Sequence, residues 1–220
     1  NDIQEICSQY LTLIEDRIGK PFPEDVNEQL MLSIKAVMES WFNERAIDYR
    51  RINDVPDDFG TAVSIQRMVF GNLDNESATG VVLSRNPQDG KKRLKGEYII
   101  RSQGEDIVSG FKTPWAISNI DKGESSSTIL SLEEKFPNCY KELEKFSQIL
   151  ENYFSCIQDI EFTIEAGKLW ILQSRRAESN IEANLVIFCD MVKEGLITKQ
   201  EVILSLDIEK IEKLLSPIID

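Results

Sequence analysis

The chain has 220 residues, 41% hydrophobic and 29% charged, enough for one substantial core or two small ones. Its 25 basic and 38 acidic residues leave a formal net charge of −13, which argues against nucleic acid as a partner, because phosphate backbones demand basic surface. No apolar run reaches the length of a bilayer span and no signal-peptide pattern opens the chain, so the expectation is a cytoplasmic protein without a membrane partner.

The four cysteines, Cys7, Cys139, Cys156 and Cys189, show no CxxC spacing, and reduced thiols are expected rather than zinc ligands. There is no histidine. That excludes a histidine general base, a Ser–His or Cys–His nucleophile and a phosphohistidine carrier. The chain opens on Asn1 rather than Met, which gives the expectation of a trimmed chain or a fragment.

Ile3, Ile6, Cys7, Tyr10, Leu11, Ile14 and Ile18 share one helical stripe, and Pro21 and Pro23 stop that helix. Asp25 followed by Glu28 resembles a capping box for a second helix. In it Leu30, Ile34, Val37, Met38 and Trp41 recur at helical spacing and are expected in a core. After the loop Asp54–Gly60 the pattern changes to strands: Thr61–Phe70, Gly80–Ser84 and Gly96–Ser102. The run Asn86–Pro87–Gln88–Asp89–Gly90 is a turn signal. Ser118–Ser127 reads as a surface loop. A long helix over Pro137–Phe154 is expected to carry Tyr140, Leu143, Phe146, Leu150 and Tyr153 on one face. The tail reads as a helix over Ile181–Glu194 closing at Gly195, then a short helix capped by Thr198 with Glu201.

The most informative stretch is QDIEFTIEAGKLWILQSR, Gln158 to Arg175. Alternation puts Ile160, Phe162 and Ile164 on one side of a strand and Asp159, Glu161 and Thr163 on the other. A three-residue loop Glu165–Ala166–Gly167 pairs Glu161 with Gln173 and Asp159 with Arg175, and leaves Trp170 and Leu172 on the apolar side. A two-residue turn would shift the register by one and scatter the polar groups. Carboxylate and amide oxygens suit Mg²⁺, and a planar guanidinium suits phosphate. The plainer alternative is a surface salt bridge on a half-exposed sheet.

This hairpin resembles the one that ends the ATP-grasp domain of pyruvate phosphate dikinases. SWFNERAIDYRRINDVPDDFGTAVSIQRMVFGN, ATGVVLSRNPQDGKK, GEYIIRSQGEDIVSGFKTP and the tail MVKEGLITKQEVILSLD resemble the same family in order. The resemblance implies an α+β chain, part of an ATP-grasp fold: mainly antiparallel sheet with a preceding helical insert and a C-terminal helical linker. It divides the chain into a helical subdomain over 1–55, a nucleotide-binding subdomain over 56–176 and a linker over 177–220.

The implied reaction converts ATP, phosphate and pyruvate into AMP, pyrophosphate and phosphoenolpyruvate through a phosphohistidine on another domain. Glu161 and Gln173 then look like the Mg²⁺-facing pair. Arg175 looks like the phosphate clamp and the catalytic candidate, with Asp159 beside it. Gln66 and Met68 lie near the adenine hinge, and Thr79 and Gly80 lie where hydroxyl and backbone could approach phosphates. Gln103, Glu105 and Asp106 border the site or form a solvated loop. The implied partners are ATP, phosphate, the missing N-terminal part, the phosphohistidine domain and the pyruvate-binding barrel, in a homodimer when full-length. The sequence departs from the family's pattern after Arg175, at Ala78 and at Glu44. A phosphoenolpyruvate synthase-type dikinase fragment, a free-standing nucleotide-binding or docking module, and an ATP-grasp ligase remain the alternatives.

Overall fold

The computed structural model describes residues 2–108, 113–122 and 129–206. The expectation for Gly123–Ser127 of the surface loop lies outside the described residues. The chain divides into two compact units, Asn1–Arg67 and Met68–Asp220.

The first unit is helical: α1 (Asp2–Ile18), α2 (Val26–Ser40) and α3 (Glu44–Ile52). Asp25 caps α2 by accepting a 2.8 Å bond from the Glu28 backbone N–H. Neither α1 nor α2 buries a residue, so Leu30, Val37 and Met38 are not core residues, and the stripe of α1 lies open. Periodicity marks a face fit for burial, and among the described residues nothing covers these two faces. The fixed point of this unit is Arg50 on α3. It stacks 4.0 Å over the Trp41 ring, donates to the Trp41 carbonyl at 2.7 Å and pairs with Asp57 at 2.7 Å.

Thr61–Phe70 is not a strand. The β-branched alternation is present, but among the described residues no strand pairs with it; the Phe70 N–H donates to the Glu165 carboxylate instead, and Ile65 and Met68 are exposed.

The second unit is built on a five-stranded antiparallel sheet in the order β3-β2-β1-β4-β5. The strands are β1 (Ala78–Leu83), β2 (Lys95–Ile100), β3 (Trp115–Ala116), β4 (Gln158–Glu165) and β5 (Lys168–Arg176). The short helix α4 (Gly104–Val108) follows β2. The short helix α5 (Leu132–Lys135) and the long helix α6 (Pro137–Phe154) cover one face of the sheet. Leu132, Cys139 and Leu143 meet Val82, Tyr98, Ile160, Phe162 and Ile164 there. Tyr98 stands edge-on to Trp115 and Phe136 and donates to the Leu130 carbonyl at 2.8 Å.

The buried face of α6 runs through Cys139, Leu143, Ser147 and Glu151. Phe146 and Tyr153, expected on that face, are exposed instead. The stripe is rotated because a serine and a glutamate occupy buried positions that apolar periodicity alone passes over.

A smaller core of Ile157, Ile187 and Met191, with Ala177, Leu196 and Ile197 against it, docks α7 (Ile181–Lys193). Gly195 ends that helix at φ 75°, and α8 (Lys199–Ser205) carries the expected capping box of Thr198 and Glu201.

Candidate functional site

The register places the polar residues of the hairpin. Asp159 lies opposite Arg175 and Glu161 opposite Gln173, as the sequence suggests, but the turn differs. Ala166 and Gly167, at φ 48° and 77°, form a two-residue turn that pairs Glu165 with Lys168. A bulge at Leu172 then restores the register, because Phe162 pairs with Ile171 while Glu161 pairs with Gln173. Trp170, opposite Thr163, therefore lies on the polar side of the hairpin, contrary to the sequence expectation. Leu169 and Ile171 take its place against the core.

Residues paired across a ladder share a face, so the pairing extends into rows across the sheet. One row is Lys95, Leu83, Asp159, Arg175; the next is Glu97, Val81, Glu161, Gln173. Rows two residues apart are separated by about 7 Å. Lys95 and Glu97 were invisible as site neighbours in the sequence, where more than sixty residues separate them from Asp159.

Arg175 Nε donates to Asp159 Oδ2 at 2.8 Å, and this bond, with the nearby carboxylates, raises the guanidinium above its ordinary range. The Arg175 side chain is 65% exposed, so its remaining N–H groups face outward, available to phosphate oxygens. Glu161 and Gln173 make no side-chain hydrogen bond among the described residues. No group of three or more acidic or cysteine side chains is arranged to hold a metal among the described residues. Two oxygen donors on one ladder pair nevertheless fit Mg²⁺, which keeps several waters and takes the rest of its ligands from phosphate.

Beside the Leu83–Asp159 end of the row lies a cavity of about 620 Å³, walled by Val81, Leu83, Lys95, Trp115, Leu130 and Asp159. On its polar side Asp121 accepts from Arg93 at 2.8 Å, from Lys95 at 2.9 Å and from Ser118 at 3.0 Å. Burial acts to raise the Asp121 carboxyl, but these donors outweigh it and hold the group below the usual carboxylate range.

Of the remaining expected residues, Thr79 shares this face, opposite Thr163 in the row after Glu161. The Thr79 hydroxyl is buried and donates to the Phe162 carbonyl at 3.3 Å. Gly80 lies inside β1 on the core side, where a Cβ would stand 2.3 Å from the Phe162 ring; it is a close-packing glycine and not a turn. Gln66 belongs to the first unit and Met68 to the second, and both lie outside regular structure. Gln103, Glu105 and Asp106 sit at the start of α4, where the Gln103 N–H donates to Asp106.

The antiparallel sheet thus carries carboxylate, amide and guanidinium groups on one face of an α+β unit. The chain matches the family model "Pyruvate phosphate dikinase, AMP/ATP-binding domain" over residues 24–135 and 116–195. It is 46% identical to pyruvate, phosphate dikinase of Rhizobium meliloti over 99% of its own length, and 42% identical to that of Clostridium symbiosum over 99%. Identity to pyruvate, phosphate dikinase 2 of Zea mays is 39% over 98%. The chain spans 24% of the first two relatives' length and 23% of the third's. It belongs to the pyruvate phosphate dikinase AMP/ATP-binding domain family.

Proposed function

We propose that the hairpin face binds Mg-ATP as one wall of the nucleotide site of a pyruvate phosphate dikinase. Glu161 and the Gln173 amide oxygen hold the cation, and Arg175 holds the phosphate chain with Asp159 orienting it. The observation that carries this reading is the ladder pairing of Glu161 with Gln173 and of Asp159 with Arg175 on one half-exposed face. The bound cation neutralises charge on the phosphate oxygens. The chain's own residues position the phosphates and supply positive charge to the group being transferred, which is most of what phosphoryl transfer asks of a protein.

In the dikinase reaction phosphoryl groups from ATP pass to a histidine. This chain contains none, so the carrier is supplied by another part of the polypeptide, and the segment alone is inactive. The full reaction yields AMP, pyrophosphate and phosphoenolpyruvate from ATP, phosphate and pyruvate.

The test separates the partial reactions in the full gene product. Glu161→Gln or Arg175→Ala is expected to slow the ATP-dependent half by about a hundredfold or more while sparing exchange between pyruvate and phosphoenolpyruvate. Equal loss of both halves would count against a nucleotide role for this face.

A further inference from the structure

A buried polar cluster of the second unit lies on the core side of the sheet, behind the hairpin face. Arg85 is wholly buried and Glu151 of α6 is 1% exposed. Arg85 Nε reaches the two Glu151 oxygens at 3.0 and 3.2 Å, and Nη2 reaches Glu151 Oε2 and Glu194 Oε2 at 3.0 Å each. Ser84 Oγ donates to Glu151 Oε1 at 2.7 Å and accepts from the Gln158 backbone N–H at 2.9 Å. The Ser84 N–H in turn donates to the Gln158 carbonyl at 2.9 Å.

These bonds have a direction. Both Glu151 oxygens accept from the Arg85 guanidinium, which has no acceptor to offer in return. The single Ser84 hydroxyl proton must then point at Glu151, which leaves an oxygen lone pair for the Gln158 N–H. The hydroxyl thus replaces the backbone carbonyl that would otherwise continue the β1–β4 ladder, and the chain can leave the sheet at Arg85. Gln158 immediately precedes Asp159, whose pairing with Leu83 is the last in that ladder.

We propose that Ser84, its hydroxyl oriented by the buried Glu151–Arg85 pair, is a positioning residue for Asp159 and through it for Arg175. The inference rests on the nucleotide reading of the hairpin face and adds a residue that touches no ligand.

The experiment is a double-mutant cycle in the full gene product, read in the ATP-dependent partial reaction. Ser84→Ala is expected to lower kcat about tenfold, with KM for Mg-ATP changed by less than about threefold and pyruvate–phosphoenolpyruvate exchange intact. In an Asp159→Asn background the same change is expected to cost less than about twofold, because the residue being positioned is already altered. Ser84→Thr, which keeps the hydroxyl, is expected to recover most of the rate. If the alanine variant does not fold, Ser84→Cys keeps the volume, weakens the bond and carries the same cycle. Losses that multiply in the double variant, or that fall equally on both partial reactions, would overturn the positioning role alone. Full activity of Asp159→Asn would overturn the nucleotide reading beneath it as well.

Discussion

At the scale of single residues, the informative positions are those where side-chain chemistry and strand parity coincide. Asp159, Glu161, Gln173 and Arg175 were legible because alternation is local: each sits two residues from the next on its strand, with apolar residues between them on β4. Lys95 and Glu97 were not legible, because their place depends on β1 lying between β2 and β4, a pairing no local pattern specifies. Glu151 left a fainter trace. It follows Leu143 and Ser147 at four-residue intervals on a helix, and a carboxylate on such a stripe requires a buried cation. Gly80 gives a direct test at this scale. Gly80→Ala drives a methyl into the Phe162 ring and is expected to lower unfolding stability by ~1–3 kcal/mol in urea titration, with partial rescue by Phe162→Leu. An unchanged midpoint would mean that the ring moves aside freely.

Among the elements, helices were read more faithfully than isolated strands. The α6, α7 and α8 segments carry their own signals: proline at the start of α6, capping side chains on α7 and α8, and Gly195 after α7. A strand has no such internal closure, since its backbone groups must be satisfied by a neighbour, and among the described residues no strand pairs with Thr61–Phe70. The loop holding Asp121 contributes through charge. Its carboxyl is depressed in the folded state, so its stabilisation is fully present above the ordinary carboxylate range and fades as pH falls through the lowered folded value. Unfolding free energy followed from about pH 7 to about pH 3 should therefore fall less steeply in Asp121→Asn than in the parent. Parallel curves would remove Asp121 from the account of acid sensitivity.

For the whole molecule, the face that binds nucleotide in the proposed reading is one wall without an opposing one in the described second unit. The net charge of −13 also disfavours an anionic ligand held by a single exposed guanidinium. Calorimetric titration of the 220-residue chain with Mg-ATP is expected to show weak binding or none. Micromolar binding abolished by Arg175→Ala would show instead that this wall suffices. The bulge at Leu172 has a further consequence, for how such chains can change length. Leu172 is the one residue of β5 without a partner in the β4 ladder, so losing it alone would leave Gln173 opposite Glu161 and Arg175 opposite Asp159 in an unbroken register. A one-residue deletion here is therefore tolerated without a second change elsewhere in the hairpin. A relative shorter by one residue at this place should show a regular ladder with the same polar face.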